Sequence, residues 1–303
     1  MLNVQHVVAC GEECGVVEVF IDEDEGTDET LSEIVEIQKS HNIPFSYHRI
    51  ANKVSHFFRA GAKVTGGTNF ATLGGFTWGT SKQKQSTDDK DETPTVRSVC
   101  ALISGHMTRY LLPENRLKVN DICIGQIMDP PWQSEKDLDI AAAIIDETFA
   151  SQCDKRFKDD KGKGKLCKLY DSGSNNSSFL PTIVHCHGAQ TGLGFGEIFL
   201  KKYSLASRNI RNEQEDGKLM LLTDRKPFSG EPFCKLGDSG AIICANDKRG
   251  KYVHIIAMLM GKMDSRNSDV NHYLAVQLKS GLEQMGKRYN LQFKLCDEHV
   301  DNT

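Results

Sequence analysis

Residues 233 to 244 read FCKLGDSGAIIC and place one serine, Ser239, in a Gly-Asp-Ser-Gly run just before an apolar stretch. A serine hydroxyl becomes a nucleophile when a base takes its proton and backbone N–H groups face the developing oxyanion. Gly237 would let the backbone turn so that its own N–H and that of Ser239 point the same way. The same four residues also make a good hairpin turn. Ser239 is therefore a candidate nucleophile only if the chain also supplies a base and an acid.

Candidates for both groups lie earlier in the chain, beside apolar stretches. His106 follows SVCALIS, and Asp139 opens the run IAAAII, with Asp137 as a weaker alternative for the acid. Each residue type is also common as a structural group at the end of a strand. However, the order His106, Asp139, Ser239, with a long polar segment before the serine, puts base and acid on one β lobe and the nucleophile on another. The sequence then predicts a site in the cleft between the two lobes.

The elements that would position these residues are mostly short strands. From Gly61 onward, short apolar stretches alternate with Gly-rich turns, which is typical of all-β barrels and sandwiches. Before that, GVVEVFID reads as a strand and LSEIVEIQKSHN as a helix. The sequence predicts four parts: an N-terminal α+β extension at 1–60, a first β-barrel lobe at 61–150, an inter-lobe linker at 151–178 rich in Lys, Gly and Ser, and a second β-barrel lobe with a C-terminal helix at 179–303.

Composition narrows the class of protein. The 303 residues are 39% hydrophobic and 26% charged, with a net charge of −4. These fractions are typical of a soluble globular protein, and the negative balance argues against a general nucleic-acid binder. No apolar run approaches the ~20 residues of a membrane helix, and no basic start leads into a long apolar core. We therefore expect a cytoplasmic protein with reduced cysteines and no membrane partner.

A second constellation is the His-Cys-His of residues 185–187. Alternate residues of a strand share a face, so His185 and His187 could bind zinc together with Cys234 or Cys244. No second close ligand pair such as Cys-x-x-Cys accompanies them. We expect no metal and no cofactor.

The three motifs together resemble those of the chymotrypsin-like (trypsin-like) serine peptidases of the intracellular type. ALISGHM resembles the strand that leads to the family histidine, LDIAAAII the aspartate motif, and LGDSGAIIC the serine motif. The resemblance spans about residues 61 to 290, and it implies a mainly β double-barrel fold.

The resemblance also implies roles. Ser239 would attack the scissile carbonyl, His106 would accept and later return the proton, and Asp139 would hold the His106 tautomer. The N–H groups of Gly237 and Ser239 would form the oxyanion hole. Activity would rise with pH through the ionisation of His106, near ~6.5. The side-chain pocket would be formed by Phe233, Cys234 and Lys235, with Met258, Met260 and Gly261 as its wall. Because no acid lies there, we expect a preference for apolar or small side chains.

The sequence departs from the family in two places. Ala241 stands where a second glycine is usual, and no Ile-Val-Gly-Gly activation sequence is visible. In zymogen-type members a freed N-terminus pairs with the aspartate before the serine. We therefore expect Asp238 to find its donors within the intact chain, among lysines, arginines or backbone N–H groups.

The function predicted from these motifs is that of a serine endopeptidase acting on proteins or peptides. Two alternatives remain open: a catalytically silent peptidase-fold module used for protein binding or signalling, and a β-rich binding protein whose motifs are coincidental. Residues 1–60 lie outside the resemblance and could instead be an inhibitory segment. The sequence leaves the oligomeric state open.

Overall fold

A computed structural model describes residues 7–13, 16–22, 28–41, 45–50, 58–81, 97–111, 114–131, 138–170, 182–203, 218–225, 231–263 and 271–295. The chain divides into two compact units, Met1–His56 and Phe57–Thr303. Asp137 lies outside the described residues.

The first unit is a three-stranded sheet with one helix. Its elements are β1 (Val7–Glu13), β2 (Val16–Asp22), α1 (Asp28–His41) and β3 (Phe45–Ile50). β1 pairs antiparallel with β2, and β2 pairs parallel with β3, so α1 lies in the crossover between parallel strands. Lys39 and His41 lie in the last turn of α1, where positive charge suits the helix dipole. The strand and helix predicted here correspond to β2 and α1.

The second unit contains two large sheets. The first sheet is built from β5 (Lys63–Gly66), β6 (Asn69–Thr72), β7 (Gly75–Ser81), β8 (Arg97–Ile103), β9 (Arg116–Val119), β10 (Ile122–Ile127), β11 (Ala141–Ile145) and β21 (Leu291–Leu295). Its order is β21-β7-β8-β11-β10-β9-β5-β6.

Strand β8 explains why its sequence is a continuous apolar run. Ala101 and Ile103 pack into one buried cluster, and Cys100 and Leu102 pack into another on the opposite face. A strand covered on both faces loses the apolar–polar alternation of a half-exposed strand. The ends of β8 and its neighbour β11 are consequently held firmly, and these are the ends that carry the site.

The second sheet is built from β13 (Phe157–Lys158), β14 (Gly164–Leu169), β15 (Ile183–Gly188), β16 (Gly192–Tyr203), β17 (Leu219–Asp224), β18 (Ile242–Asn246), β19 (Tyr252–Met263) and β20 (His272–Gln277). Its order is β13-β14-β19-β18-β15-β16-β17-β20, and β19 also pairs with β20. This extra pairing closes six strands into a barrel. Val184, Leu222, Ile243 and Tyr273 belong to the buried cluster of this lobe.

The remaining elements are short, apart from one helix. They are β4 (Phe58–Arg59), β12 (Cys153–Asp154), α2 (Thr108–Leu111), α3 (Glu147–Ala150) and α4 (Leu278–Arg288). Helix α4 buries Leu278, Leu282 and Met285, which lie on one face as the sequence predicts. No helix within the described ranges is long and apolar enough to cross a lipid bilayer.

The prediction of a mainly β double-barrel fold class is confirmed, but two segments differ from their predicted roles. The linker predicted at 151–178 contains β12, β13 and β14, and β14 pairs in parallel with β19. Phe157 and Cys167 are buried there among many charged residues, so the average composition of the segment conceals its apolar positions. Strand β21, predicted within the second lobe, instead pairs with β7 of the first sheet.

Candidate active site

His106 and Asp139 meet because the strands that carry them are neighbours. His106 follows β8, Asp139 precedes β11, and the two strands pair antiparallel with Ile103 opposite Ala141. The Asp139 carboxylate accepts the His106 backbone N–H at 2.7 Å through Oδ1, and its Oδ2 lies 2.7 Å from the imidazole Nδ1. The Asp139 side chain is only 6% exposed. This double contact fixes the ring and turns Nε2 away from the aspartate.

The same contact changes the proton affinity of His106. The hydrogen bond to Asp139 raises the pKa of the imidazole above its ordinary value of 6.5, although burial and the positive charge of Arg109 act in the opposite direction. The ionisation of His106 is therefore expected above the ~6.5 predicted from the sequence, because the partner carboxylate stabilises the charged ring more than burial destabilises it.

Ser239 completes the group from the other lobe. Its Oγ lies 3.3 Å from Nε2 of His106 and donates a hydrogen bond of 2.7 Å to the carbonyl of Met260. The hydroxyl proton therefore points towards Met260 in this resting state. Contacts between a nucleophile and its base are often long before substrate binds.

The turn that carries Ser239 has two glycines in the left-handed region. Gly237 has φ 98° and Gly240 has φ 93°. A Cβ added to Gly237 would overlap the ring of Phe70, so side-chain size and backbone angle both select glycine. Among the described residues, the N–H groups of Gly237 and Ser239 have no hydrogen-bond acceptor.

Asp238 finds its donors within the intact chain, so that prediction is confirmed. Its carboxylate is fully buried. It accepts the backbone N–H groups of Gln190 at 2.8 Å, Thr191 at 3.1 Å and Lys235 at 2.8 Å, together with the Thr191 hydroxyl. The donors come mainly from the turn between β15 and β16, and a Cβ on Gly188, the last residue of β15, would collide with the carboxylate.

The residues predicted for the side-chain pocket lie in different places. Phe233 and Met258 are fully buried in hydrophobic clusters. The Phe233 ring packs edge-on against Tyr273 at 5.5 Å. Cys234 is also buried, and Lys235 is exposed.

Two of the predicted pocket residues lie on the stretch of β19 that reaches the serine. Met260 contacts Ser239 through its carbonyl, and a Cβ on its neighbour Gly261 would meet open space. Strand β19 pairs with β18 as far as Met258, and the backbone of Leu259 still bonds to Gly240 and Ala241. Beyond Leu259 the strand continues beside β20 to Met263, and its other edge has no backbone partner within the described ranges.

Sequence reasoning missed the contacts of two threonines that support the site. Thr72, at the end of β6, contacts the turn around Ser239, and Thr191 binds Asp238. Thr191 stands in a Gly-x-x-Thr-Gly run that resembles the family turn at the start of the second barrel, but that run does not indicate Asp238 as its partner. Thr72 belongs to no such run, and both contacts join residues far apart in the sequence.

The two histidines considered for zinc serve a structural purpose here. Their rings lie 5.9 Å apart, edge to face. Nε2 of His185 contacts the carbonyl of Lys158 at 3.0 Å, and Nε2 of His187 contacts that of Asp159 at 2.9 Å. Burial lowers the pKa of both rings. In the part of the chain that is described, no three His, Cys, Asp or Glu residues form a group that could hold a metal ion.

Comparison with known proteins finds similarity only in the backbone. No family model matches the sequence, and no curated protein matches it significantly. Thermobifida fusca protease A is 13% identical, with 78% of this chain and 98% of that chain covered and a TM-score of 0.46. Nocardiopsis protease (13%) and Cellulomonas bogoriensis chymotrypsin (14%) show the same coverage, each with a TM-score of 0.45. At these identities the similarity carries no inference about activity.

Proposed function

We propose that this chain is a serine endopeptidase in which Ser239 is the nucleophile, His106 the general base and Asp139 the orienting acid. The observation that carries the proposal is the continuous line of contacts from the Asp139 carboxylate through both ring nitrogens of His106 to the Ser239 hydroxyl. A hydroxyl next to an imidazole whose other nitrogen faces a buried carboxylate is an activated nucleophile.

The first chemical step begins with a change of hydrogen bond. The Ser239 proton leaves the Met260 carbonyl and turns to Nε2 of His106, which must be neutral to accept it. As the proton transfers, Oγ bonds to the substrate carbonyl carbon and the carbonyl π electrons move onto oxygen. Asp139 stabilises the imidazolium that results.

The developing oxyanion needs donors, and the turn around Ser239 offers two. The N–H groups of Gly237 and Ser239 belong to the same turn, with Asp238 between them, and neither has an acceptor among the described residues. Donors that are already in place stabilise the oxyanion without reorganising during the reaction.

The tetrahedral intermediate then collapses. The C–N bond breaks, its electron pair stays on nitrogen, and the imidazolium proton passes to the leaving amine. Water attacks the acyl-enzyme ester with His106 again as the base, which releases the acid product and restores the Ser239 hydroxyl.

The substrate is a protein or peptide chain in extended form. Beyond Leu259, next to Ser239, one edge of β19 has no strand partner among the described residues, and this edge suits a peptide that adds as a further strand. Open space at Gly261 gives room for a side chain beside this edge. We retain the preference for apolar or small side chains, since no carboxylate from residues 233–235 is available to bind a basic one.

The test is covalent labelling with a fluorophosphonate probe. The unmodified chain should react, whereas Ser239→Ala should not, with a melting temperature close to that of the parent because Ser239 lies in a turn and packs little. Ser151→Ala, at an exposed serine, is the matched control and should label normally. Absence of labelling in the unmodified chain, or equal labelling of Ser239→Ala, would contradict the proposal and favour a silent binding module.

A further inference from the structure

Thr72 bonds to the turn that carries Ser239 through both its backbone N–H and its hydroxyl. It is fully buried. Its N–H donates to the Ser239 carbonyl at 2.8 Å, and its hydroxyl donates to the Gly237 carbonyl at 3.1 Å. The same hydroxyl accepts the N–H of Ala189 at 2.9 Å. One side chain from the first sheet thus connects two turns of the second lobe.

These bonds restrict the turn in a specific way. A peptide group is planar, so fixing its carbonyl also fixes the direction of the N–H that follows. Thr72 holds the carbonyls of Gly237 and Ser239, and the N–H groups in the same peptides donate to Lys235 and Leu259 at 3.1 and 2.8 Å. The carbonyl of Asp238 accepts the N–H of Ala241 at 2.9 Å. The bond from Ala241 fixes the peptide that carries the Ser239 N–H, and Thr72 fixes the peptides on either side of it. Among the described residues the N–H groups of Gly237 and Ser239 have no acceptor, so they are available to bind an oxyanion.

The neighbouring turn is held from the same side. Three consecutive N–H groups, those of residues 189 to 191, point at this region: the first binds the Thr72 hydroxyl, and the other two bind Asp238. Successive N–H groups that converge in this way form a concave anion site. Here the anion is the side chain of Asp238, the residue that precedes Ser239, and the donors that the described residues give it are backbone N–H groups and the Thr191 hydroxyl.

We propose that Thr72 is a positioning residue that keeps the two oxyanion donors of the Ser239 turn in their competent orientation. The turn of residues 189–191 assists it by binding the Thr72 hydroxyl and the Asp238 carboxylate. This rests on the proposed function. The turn is then held by residues 72, 189–191 and 235, and its orientation does not depend on a newly formed N-terminus. Thr72 does not touch substrate, so its loss should lower the rate of acylation and leave peptide binding and the pH dependence unchanged.

The experiment compares three variants in the full chain. Thr72→Val removes the hydroxyl at nearly constant volume, and Thr72→Ser restores it. Thr77→Val is the matched control, because Thr77 is another buried threonine of the same sheet, whose hydroxyl binds the Lys294 carbonyl at 2.5 Å, away from the site. Probe labelling, kcat and KM for a peptide, and amide hydrogen exchange across residues 235–241 are measured for each.

We expect Thr72→Val to lower kcat and the labelling rate by roughly 10²-fold, as when an oxyanion donor is lost, with KM and the pH midpoint unchanged. Amide exchange in 235–241 should quicken. Thr72→Ser should behave nearly as the parent. Thr77→Val should lose stability, but its rate and its amide exchange in 235–241 should stay parental. The proposal would be overturned if Thr72→Val had the same amide exchange and the same rate as the unmodified chain. It would also be overturned if Thr72→Val and Thr77→Val lost rate equally.

Two further outcomes remain decisive. If the unmodified chain does not react with the probe, the proposed function fails, while the exchange comparison still decides whether Thr72 holds the turn. If Thr72→Val does not fold, the Ala189 amide of the unmodified chain gives the answer. Its N–H binds the Thr72 hydroxyl and should be protected from exchange, so rapid exchange at that amide would overturn the proposal.

Discussion

The two halves of the candidate site are held in different ways. His106 and Asp139 stand at the ends of paired strands, and each anchors the other through two contacts of 2.7 Å. The turn around Ser239 has local bonds from Lys235 and Ala241 to Asp238, but these do not reach the carbonyls of Gly237 and Ser239. Its carbonyls and its aspartate depend on Thr72 and on the turn of residues 189–191, which lie far away in the sequence.

This difference predicts two distinguishable effects of substitutions in the site. A change in the pair of His106 and Asp139 alters proton affinity and tautomer, so it should appear in the pH profile. A change in the turn alters the direction of the N–H donors. It should therefore lower the reaction rate and leave the pH midpoint of activity unchanged. The predictions below use this separation, from the largest expected effect to the smallest.

The strongest test of the first half is Asp139→Asn. The amide cannot stabilise the imidazolium, and it favours the wrong tautomer, so kcat should fall about 10⁴-fold. The pKa of His106 should also fall, because its largest raising cause is the bond to Asp139. Rate measurements across pH test both effects. A parental rate would show that Asp139 does not orient the base.

The matching test of the second half is Gly237→Ala. The residue has φ 98°, and the added methyl would overlap Phe70, so the turn must shift. We expect kcat to fall roughly 10²-fold, the cost of one misplaced oxyanion donor. The pH midpoint should not move, and this distinguishes the variant from Asp139→Asn. Gly162→Ala, at another positive-φ glycine with open space around its missing Cβ, is the control for backbone strain alone.

A smaller effect concerns the unmodified chain. Because His106 must be neutral to act, activity should increase with pH, with its midpoint above 6.5, the direction in which Asp139 shifts the imidazole. The stability effect has the opposite sign. The raised pKa adds stability that is fully present below the unfolded pKa and is lost as pH rises through the folded pKa. The pH dependence of kcat/KM, with ring-proton NMR of His106, measures the midpoint; a midpoint below 6.5 would contradict the geometry.

The smallest effect is expected at Lys235. Its backbone N–H binds Asp238, but its ammonium pairs with Glu231 at 2.9 Å on the surface. Lys235→Ala keeps the backbone donor, so activity and stability should stay near the parental values, as is usual for exposed ion pairs. Melting curves and labelling rates test this. A large loss would mean that side-chain charge helps to hold the turn.

The three residues of the candidate site could be predicted because each has a recognisable sequence context. His106 and Asp139 lie beside apolar strands and Ser239 lies in a Gly-rich turn, so their neighbours in sequence mark them. The mainly β fold class could be predicted for the same reason, because apolar runs and turns alternate from Gly61 onward.

The remainder depends on contacts that leave no local signal. Thr72 and Thr191 act through single hydroxyls, and their partners become neighbours only once both lobes have formed. Phe233 was predicted in the pocket from its distance to the serine, but close glycines at 194 and 196 make room for it in the barrel interior. The direction of the pKa shift of His106 needed the position of Asp139 in space, because the hydrogen bond from this carboxylate opposes the effect of burial.

The pairing of β21 with β7 has a consequence for the order in which the chain folds. Leu291 lies opposite Ser81 and Leu295 opposite Thr77, so the first sheet takes its edge strand from the far side of the second lobe. Synthesis proceeds from the N-terminus. The edge of β7 that pairs with β21 therefore stays unpaired until residue 295 has emerged from the ribosome. Closing so long a loop is slow, and an open strand edge invites pairing between nascent chains. The first lobe is thus begun early but completed late, and this interval is when the chain has most need of a chaperone.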